Sequence, residues 1–346
     1  MNQESCSCSS EGCCTEPEFK SVNSSISIKD VLGSWKARWG IGRMEYKVDT
    51  GLYSLGSPND NSPVIVSANY KMTFDILRKD LSGLNCWLLI LDTKGINVWC
   101  AAGKGTFGTA ELINKIEQTN LSNYIKHKNL ILPQLGATGV SAYEVKQKTG
   151  YNVIYGPVRS ADIKEFIANN FTATKEMRRV KFDLWDRLVL TPIEVVPAFK
   201  KLFIIIGGMF FANLFIKKPF EKSEVSGLTG ATLSGTIITP ALLPYIPGKA
   251  FSVKGWIIGL LFAICSMLLN KSKSGSSIAK IGYLLLYPAI SSYLALNFTG
   301  ASTYTSPSGV QKEMKKSLPF IISGVALGGL LVVISHIFTR SNHAKT

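Results

Sequence analysis

The chain has 346 residues, with 46% hydrophobic and 18% charged residues and a formal net charge of +15. Its mean hydropathy is +0.18, and its charged fraction lies below the roughly 25% of soluble globular chains. The length allows two domains, and the composition excludes a disordered chain, a collagen and a small disulfide scaffold. The positive charge is no nucleic-acid footprint. Residues 1–196 hold 23 Lys+Arg against 20 Asp+Glu, whereas residues 197–346 hold 15 against 3. The excess is therefore mostly lysine between apolar stretches, as in short membrane loops, and no nucleic-acid recognition motif accompanies it.

Residues 1–29 read as a disordered tail rich in Ser, Cys and Glu. They carry Cys6, Cys8, Cys13 and Cys14, which either capture a soft metal ion or have no role. No apolar signal-peptide core opens the chain, so disulfides are not expected among its 7 cysteines. From Pro63 the pattern alternates: a strand over 63–67, a helix over 72–81, a strand over 86–91 and a short extended piece over 96–99. A helix over 110–121, a strand over 129–133 and a helix over 142–148 ended by Gly150 follow. A strand over 151–155 and a helix over 161–169 capped near Ser160 complete it. Strands alternating with helices predict an α/β, Rossmann-like domain over 30–180, a parallel sheet with flanking helices. Ligands of such sheets bind outside the carboxyl ends of the strands. Here those ends run into small, polar or Gly-rich turns at 67–70, 92–95, 134–139 and 156–159.

A juxtamembrane linker is expected over 181–197, then an all-α transmembrane domain of five helices over 198–340. The spans fall at about 198–216, 227–246, 252–270, 279–298 and 318–338, each near the length that crosses a bilayer. Pro240, Pro244, Pro288 and Pro319 are expected to kink or end helices, and the small residues of 227–235 suit close helix packing. No buried carboxylate chain is evident, and His336, near a helix end, reads as interfacial. Basic residues lean only slightly toward one side. With no export signal, the expectation is a multi-pass protein of the inner, cytoplasmic membrane with its α/β domain on the cytoplasmic side.

The densest segment is Asn97-Val-Trp-Cys-Ala-Ala-Gly-Lys-Gly-Thr-Phe-Gly108. It contains Gly103-x-Gly105-x-x-Gly108, the spacing of a dinucleotide fingerprint, but the next strand lacks the acid that would take the ribose. Nor is it a Walker A loop, because Gly105 follows Lys104 where Ser or Thr is needed. Cys100 lies where a strand is expected to enter a Gly-rich turn before a helix. A helix dipole and Lys104 would favour its thiolate, making it a nucleophile, a redox thiol or a metal ligand. His127 is the one histidine in the first 196 residues able to pair with it. No Cys/His cluster of zinc type appears.

Residues 97–104 resemble, position for position, the cap-helix signature of the mercury-methylating corrinoid proteins, the HgcA family. Pro63-Val-Ile-Val-Ser-Ala-Asn-Tyr-Lys-Met-Thr73 and Gly156-Pro-Val-Arg-Ser-Ala-Asp-Ile163 are similar to the corrinoid-binding domain of the corrinoid iron–sulfur protein large subunit, which lacks the signature cysteine. The resemblance spans about residues 40–340, including the membrane helices. It implies a cobalamin bound base-off, with the Cys100 thiolate as lower axial ligand to cobalt. No Asp-x-His-x-x-Gly motif competes for that place. It also implies a methyltransferase passing a methyl group, as a carbanion equivalent, from cobalt to Hg(II) to give methylmercury. The methyl group would come from a folate-type donor system. A ferredoxin-like 4Fe-4S protein, HgcB, would reduce cobalt and deliver Hg(II). The resemblance does not reach the tail; capture of Hg(II) by Cys6, Cys8, Cys13 and Cys14 is an expectation from their soft thiols alone. A corrinoid methyl carrier for another acceptor, as in the acetyl-CoA pathway, is the competing reading.

In this frame Asn97, Val98 and Trp99 position and shield Cys100, Ala101, Ala102 and Gly103 are small and let the macrocycle approach the backbone, and Lys104 belongs to the same cofactor-binding segment. Ser67, Asn69 and Thr73 bond corrin amides or the nucleotide tail, with helix capping equally open for Thr73. Gly136, Ala137, Thr138 and Gly139, with Gly156, Pro157, Val158 and Arg159, form tail-pocket turns, unless the glycines there serve only backbone conformation.

Overall fold

The computed structural model describes residues 19–215, 222–269, 276–302 and 304–343. Cys6, Cys8, Cys13 and Cys14 lie outside them. The chain divides into two compact units, the first holding residues 42–179 and the chain before residue 38, the second residues 180 onward with the short 38–41 segment.

The first unit is built on a six-stranded sheet. Its strands are β1 (Phe19–Val22), β2 (Gly51–Leu55), β3 (Val64–Ala68), β4 (Cys86–Leu91), β5 (Asn129–Leu132) and β6 (Asn152–Tyr155). The spatial order is β1-β2-β4-β3-β5-β6. The four central and right-hand strands run parallel, and β2 joins β4 antiparallel with Leu52 opposite Leu89. The helices are α1 (Ile28–Arg38), α2 (Lys71–Asp80), α3 (Val98–Lys104), α4 (Thr109–Gln118), α5 (Ala142–Thr149) and α6 (Ile163–Ala168).

Side-chain alternation along each strand separates two cores. Val64, Val66, Leu89 and Leu91 pack under α4 and α5 through Leu112, Ile116 and Val145. Ile65, Leu88 and Ile90 pack on the other face under α2 and α6 through Phe74, Leu77 and Phe166. β3 and β4 are buried along their whole length, as a sheet covered on both faces requires.

Three differences from the sequence reading stand out in this unit. β1 lies in the stretch expected to be a disordered tail; Phe19 holds it there by packing edge-on against Trp87 and Tyr124 at 5.1 and 5.4 Å. β2 and α1 were not foreseen. α1 has weak amphipathic character, with only Ala37 fully buried, and is tied down by charge instead. Asp30 accepts from Lys71 at 2.6 Å and from Arg78 at 2.8 Å, and both also reach Asp75. Finally, residues 98–104 are helical where a short extended piece is expected over 96–99.

The second unit is helical: α7 (Leu184–Phe215), α8 (Lys222–Leu233), a π-helical turn over Ser234–Ile238, α9 (Thr239–Leu242), α10 (Phe251–Leu269), α11 (Ser277–Asn297) and α12 (Pro307–His343). The expected linker over 181–197 is therefore mostly the start of α7, which continues through Pro192 and Pro197. Among the described residues four helices, at 184–215, 251–269, 277–301 and 308–337, are long and apolar enough to cross a membrane. The expected second span is no single regular helix, because the π turn interrupts it and Pro240 starts a new segment. Pro288 and Pro319 lie inside continuous helices.

Small residues set the packing. A Cβ on Gly259 would fall 2.7 Å from Pro288 Cα, and one on Gly255 2.5 Å from Ala295 Cβ. A carboxylate is buried here after all. Glu224 Oε1 lies 2.7 Å from His336 Nε2 and accepts from the Tyr283 hydroxyl, joining α8, α11 and α12. His336 is part of that cluster rather than a plain interfacial side chain.

Candidate functional site

The connections of β3 and β5 leave these adjacent strands in opposite directions, β3 to β4 on one side and β5 to β6 on the other. The crevice outside their carboxyl ends is the topological switch point of the sheet, where open α/β sheets bind ligands. α3, in the crossover from β4 to β5, packs there against the short 3-10 turn Gln134–Gly136 that follows β5.

Asn97 is the N-cap of α3, extended at φ −64°, ψ 159°, and its Oδ1 accepts the backbone N–H of Cys100 at 2.9 Å. Such a cap satisfies one of the orphan amides of the first turn. Gly105, at φ +80°, closes the helix in the left-handed conformation that glycine adopts without strain. At about 100° per residue, Val98, Ala101 and Ala102 share one face, which is buried in the core above the sheet. Trp99, Cys100, Gly103 and Lys104 share the other. Cys100 is half-buried and Gly103 and Lys104 are exposed, so the thiol faces away from the sheet.

The three glycines of Gly103-x-Gly105-x-x-Gly108 do not form a strand-to-helix phosphate turn. Gly105 caps α3 and Gly108 caps α4 at its N-terminus, so the motif is the hinge between two helices.

The loop feeding α3 is fixed from β3. Asn69 Oδ1 accepts from Thr93 N–H at 3.1 Å, Thr93 Oγ1 at 2.9 Å and Gly95 N–H at 3.1 Å, while Nδ2 donates to Asp92 Oδ1 at 3.2 Å. Thr93 Oγ1 also lies 2.7 Å from the Ile96 carbonyl. Glu111 Oε1 accepts the Asp92 N–H at 2.9 Å. A hydrogen bond from Lys94 holds the Asp92 carboxyl below the usual carboxylate range, against the effect of burial. Asn69 thus acts on the 92–96 loop rather than presenting its amide to a ligand. Ser67 is buried and alternates onto the α2 face. Thr73 sits in the first turn of α2, whose cap is Tyr70.

The turn after β5 meets α3 through Phe107, which is fully buried. A Cβ on Gly136 would lie 2.6 Å from the Phe107 ring, and one on Gly139 2.2 Å from the Phe107 carbonyl oxygen and 3.1 Å from Ala102 Cα. Both glycines are required by this close approach. Ala137 and Thr138 form the more exposed rim. Tyr155 donates its hydroxyl to Val140 O at 2.5 Å, anchoring the end of the turn.

The 156–159 turn lies beside residue 134. The Gly156 N–H donates to Leu132 O at 2.8 Å, Pro157 O accepts from Gln134 N–H at 3.4 Å, and the Val158 N–H donates to Met177 O at 2.8 Å. Arg159 is exposed. Arg178 reaches the Gln134 side chain. The structure therefore gathers 97–104 with 134–139, places 156–159 next to the second group, and leaves Ser67 and Thr73 beneath or beside them.

His127 does not pair with Cys100. It precedes β5, at the amino edge of the sheet; its Nδ1 accepts from the Asn129 N–H at 3.3 Å, so Nε2 carries the proton toward Ser62 O at 2.9 Å. Among the described residues no group of three or more His, Cys, Asp or Glu could hold a bare metal ion. The sequence reading missed Thr93, Phe107 and Glu111. Phe107, an aromatic residue inside a Gly-rich hinge, was the one visible signal.

This α/β unit has known relatives. Residues 35–167 match the family of the CO dehydrogenase/acetyl-CoA synthase delta subunit. The gamma subunit of the acetyl-CoA decarbonylase/synthase complex of Methanocaldococcus jannaschii is 32% identical over 131 residues, 37% of this chain and 26% of that protein. Its counterpart in Methanopyrus kandleri is 32% identical over 127 residues, 36% of this chain and 27% of the relative. The gamma 2 subunit of Methanosarcina thermophila is 32% identical over 133 residues, 37% and 28% of the two chains. The chain spans about a quarter of the length of the curated relatives it matches, and the family match over residues 35–167 includes α3 and the 134–139 turn.

Proposed function

We propose that this chain is a membrane-anchored corrinoid methyl-transfer protein in which Cys100 is the lower axial ligand to cobalt. The observation that carries the reading is the placement of Cys100. Its thiol sits on the outward face of a capped helix, at the switch point of the sheet, with Trp99 before it in sequence and the small residues Ala101, Ala102 and Gly103 after it. The donor set fits a corrinoid. A bare metal ion wants several protein ligands; a corrinoid brings its own equatorial nitrogens and needs one axial donor from the protein, as haem does. When bound, it supplies a methyl group on cobalt that can be passed to an acceptor.

The chain's own residues have defined tasks in this reading. Asn97 fixes the first turn and hence the direction of the Cys100 side chain. Lys104 lies one turn further on the same exposed face. Trp99 excludes water beside the sulfur. Gly103 leaves room above the helix, and Ala137 and Thr138 give the crevice a small polar rim. The turn Gly156–Arg159 extends that rim toward β6 and is suited to the nucleotide tail.

The acceptor of this reading is Hg(II), with methylmercury as product. Its support is the 97–104 segment, whose Cys100 would hold cobalt through a soft sulfur donor and so would favour release of a methyl group to a soft acceptor. A folate-type methyl donor, HgcB as reductant and a cytoplasmic face of the inner membrane belong to the same reading. The second reading, a methyl carrier for an acetyl-forming enzyme, rests on the relatives, which are subunits of acetyl-CoA decarbonylase/synthase complexes. The test is full-length protein loaded with methylcobalamin under reducing conditions, offered Hg(II) or an acetyl-CoA synthase nickel subunit. Methylmercury formation that is lost in Cys100→Ala supports the first reading. Transfer to the synthase alone, unchanged in Cys100→Thr, supports the second.

A further inference from the structure

We propose that the helical unit holds one anionic phospholipid in the groove between α10 and α12. The groove is a cleft of about 1060 Å³ whose lining is mostly apolar. α10 and α12 both pack on α11, which forms the floor through Ala289 and Ser292, while Trp256, Leu285, Phe320 and Leu327 line the walls.

One end of this cleft is cationic. Lys249, just before α10, and Lys312 and Lys316, in the first turns of α12, line its mouth. All three are exposed, and among the described residues none has an ion-pair partner. The carboxylate in the lining, Glu313, is engaged by α10 rather than by a lysine: its Oε1 accepts from Ser252 N–H at 2.7 Å and Ser252 Oγ at 2.8 Å, and Ser252 lines the groove as well. That bond also ties the starts of α10 and α12 together, and the three lysines line the groove close to where both helices begin. This is the headgroup level of a bilayer, and below it the groove offers an acyl chain an apolar path.

The chemistry selects the occupant. A headgroup of net negative charge complements three lysines, and basic pockets between membrane helices bind acidic headgroups in this way. A zwitterionic lipid brings a cation of its own beside its phosphate and so matches the lysines less well, and inorganic phosphate would leave the apolar groove unfilled.

The test uses full-length protein in nanodiscs, with quenching of Trp256 fluorescence by lipids brominated on the acyl chain. Trp256→Phe identifies the Trp256 component among the 6 tryptophans. Brominated phosphatidylglycerol at a few mole per cent in phosphatidylcholine is expected to quench that component, and each of Lys249→Gln, Lys312→Gln and Lys316→Gln to weaken the effect about five-fold at low salt. Inorganic phosphate at millimolar concentration should not displace the lipid. Equal quenching by brominated phosphatidylcholine, or quenching unchanged in the triple lysine variant, overturns the proposal. So does absence of quenching by either lipid, which would mean that another segment or partner covers the groove. Native mass spectrometry of the same variants reports whether a lipid is retained at all, and a misfolded variant is recognised by a shift of the intact chain to higher charge states.

Discussion

Cys100 is held by Asn97: the backbone N–H of the cysteine donates to the Asn97 side-chain oxygen at 2.9 Å, three residues away. The cap and the candidate ligand belong to one turn, so the direction of the thiol depends on an amide that never touches it. Asn97→Ala should remove about 1 kcal/mol from the short helix α3 and leave the sheet intact. The expected result is faster amide hydrogen exchange over residues 98–103, no change in β3 or β5, and partial rescue by Asn97→Asp, which preserves the accepting oxygen.

The second contact that fixes the site is between Phe107 and the 136–139 turn. Gly139→Ala places a methyl 2.2 Å from a backbone oxygen, which no side-chain rotation relieves. It should separate the turn from α3 and destabilise the α/β unit more than Phe107→Leu, which trims a buried ring. Phe107→Ala should cost about 3–5 kcal/mol. Denaturant titration of the full chain, followed by hydrogen exchange in β5, checks the order.

The thiols of this unit should differ sharply in reactivity. Cys86 is fully buried in β4, and burial pushes its thiol up to about 12. Cys100 is half-buried on an exposed helix face. Brief alkylation of the folded protein at pH 8 should modify Cys100 and spare Cys86 until denaturant is added, as peptide mass spectrometry would show. Bound cobalamin should protect Cys100.

Asp30 makes the attachment of α1 pH-dependent. Burial opposes its ionisation, but hydrogen bonds from Lys71 and Ser27 hold the carboxyl well below the usual range. A carboxyl with a depressed folded pKa stabilises the fold above its unfolded value, about 4, and that contribution is lost as pH falls through the folded value. Asp30→Asn should therefore weaken protection of the α1 and α2 amides at pH 7, by about 2 kcal/mol for the loss of charge-assisted bonds. The difference between the two proteins should shrink steadily below pH 4.

The parallel core was readable in the chain because its strands are continuous apolar runs separated by helices with regular apolar spacing. β3 (Val64–Ala68), β4 (Cys86–Leu91) and β5 (Asn129–Leu132) fall within a residue of the strands expected over 63–67, 86–91 and 129–133. α1 and β1 were not readable, since what fixes them is remote: a salt-bridge network to α2 and an aromatic contact to Trp87 across the sheet. The helix α3 was hidden by its shortness and its glycines. Seven residues give too little periodicity to distinguish a cap helix from an extended piece, although the family signature implied one. Among the site residues, the hydrogen bonds of Asn69 to the 92–95 loop were not legible, because an amide at the end of a strand looks free in the sequence and only the fold brings that loop onto it. The Glu224–His336 contact joins residues 112 positions apart, although Glu224 is one of only 3 acids after residue 196.

The central claim is that Cys100 sulfur binds cobalt. X-ray absorption at the cobalt edge, on full-length protein loaded with cobalamin under reducing conditions, measures it directly. The account predicts a sulfur scatterer in the first shell of the wild type that is replaced by a light atom in Cys100→Ala, with cobalamin still bound. Bound cobalamin showing no sulfur in the wild type, or an unchanged spectrum in Cys100→Ala, would contradict it.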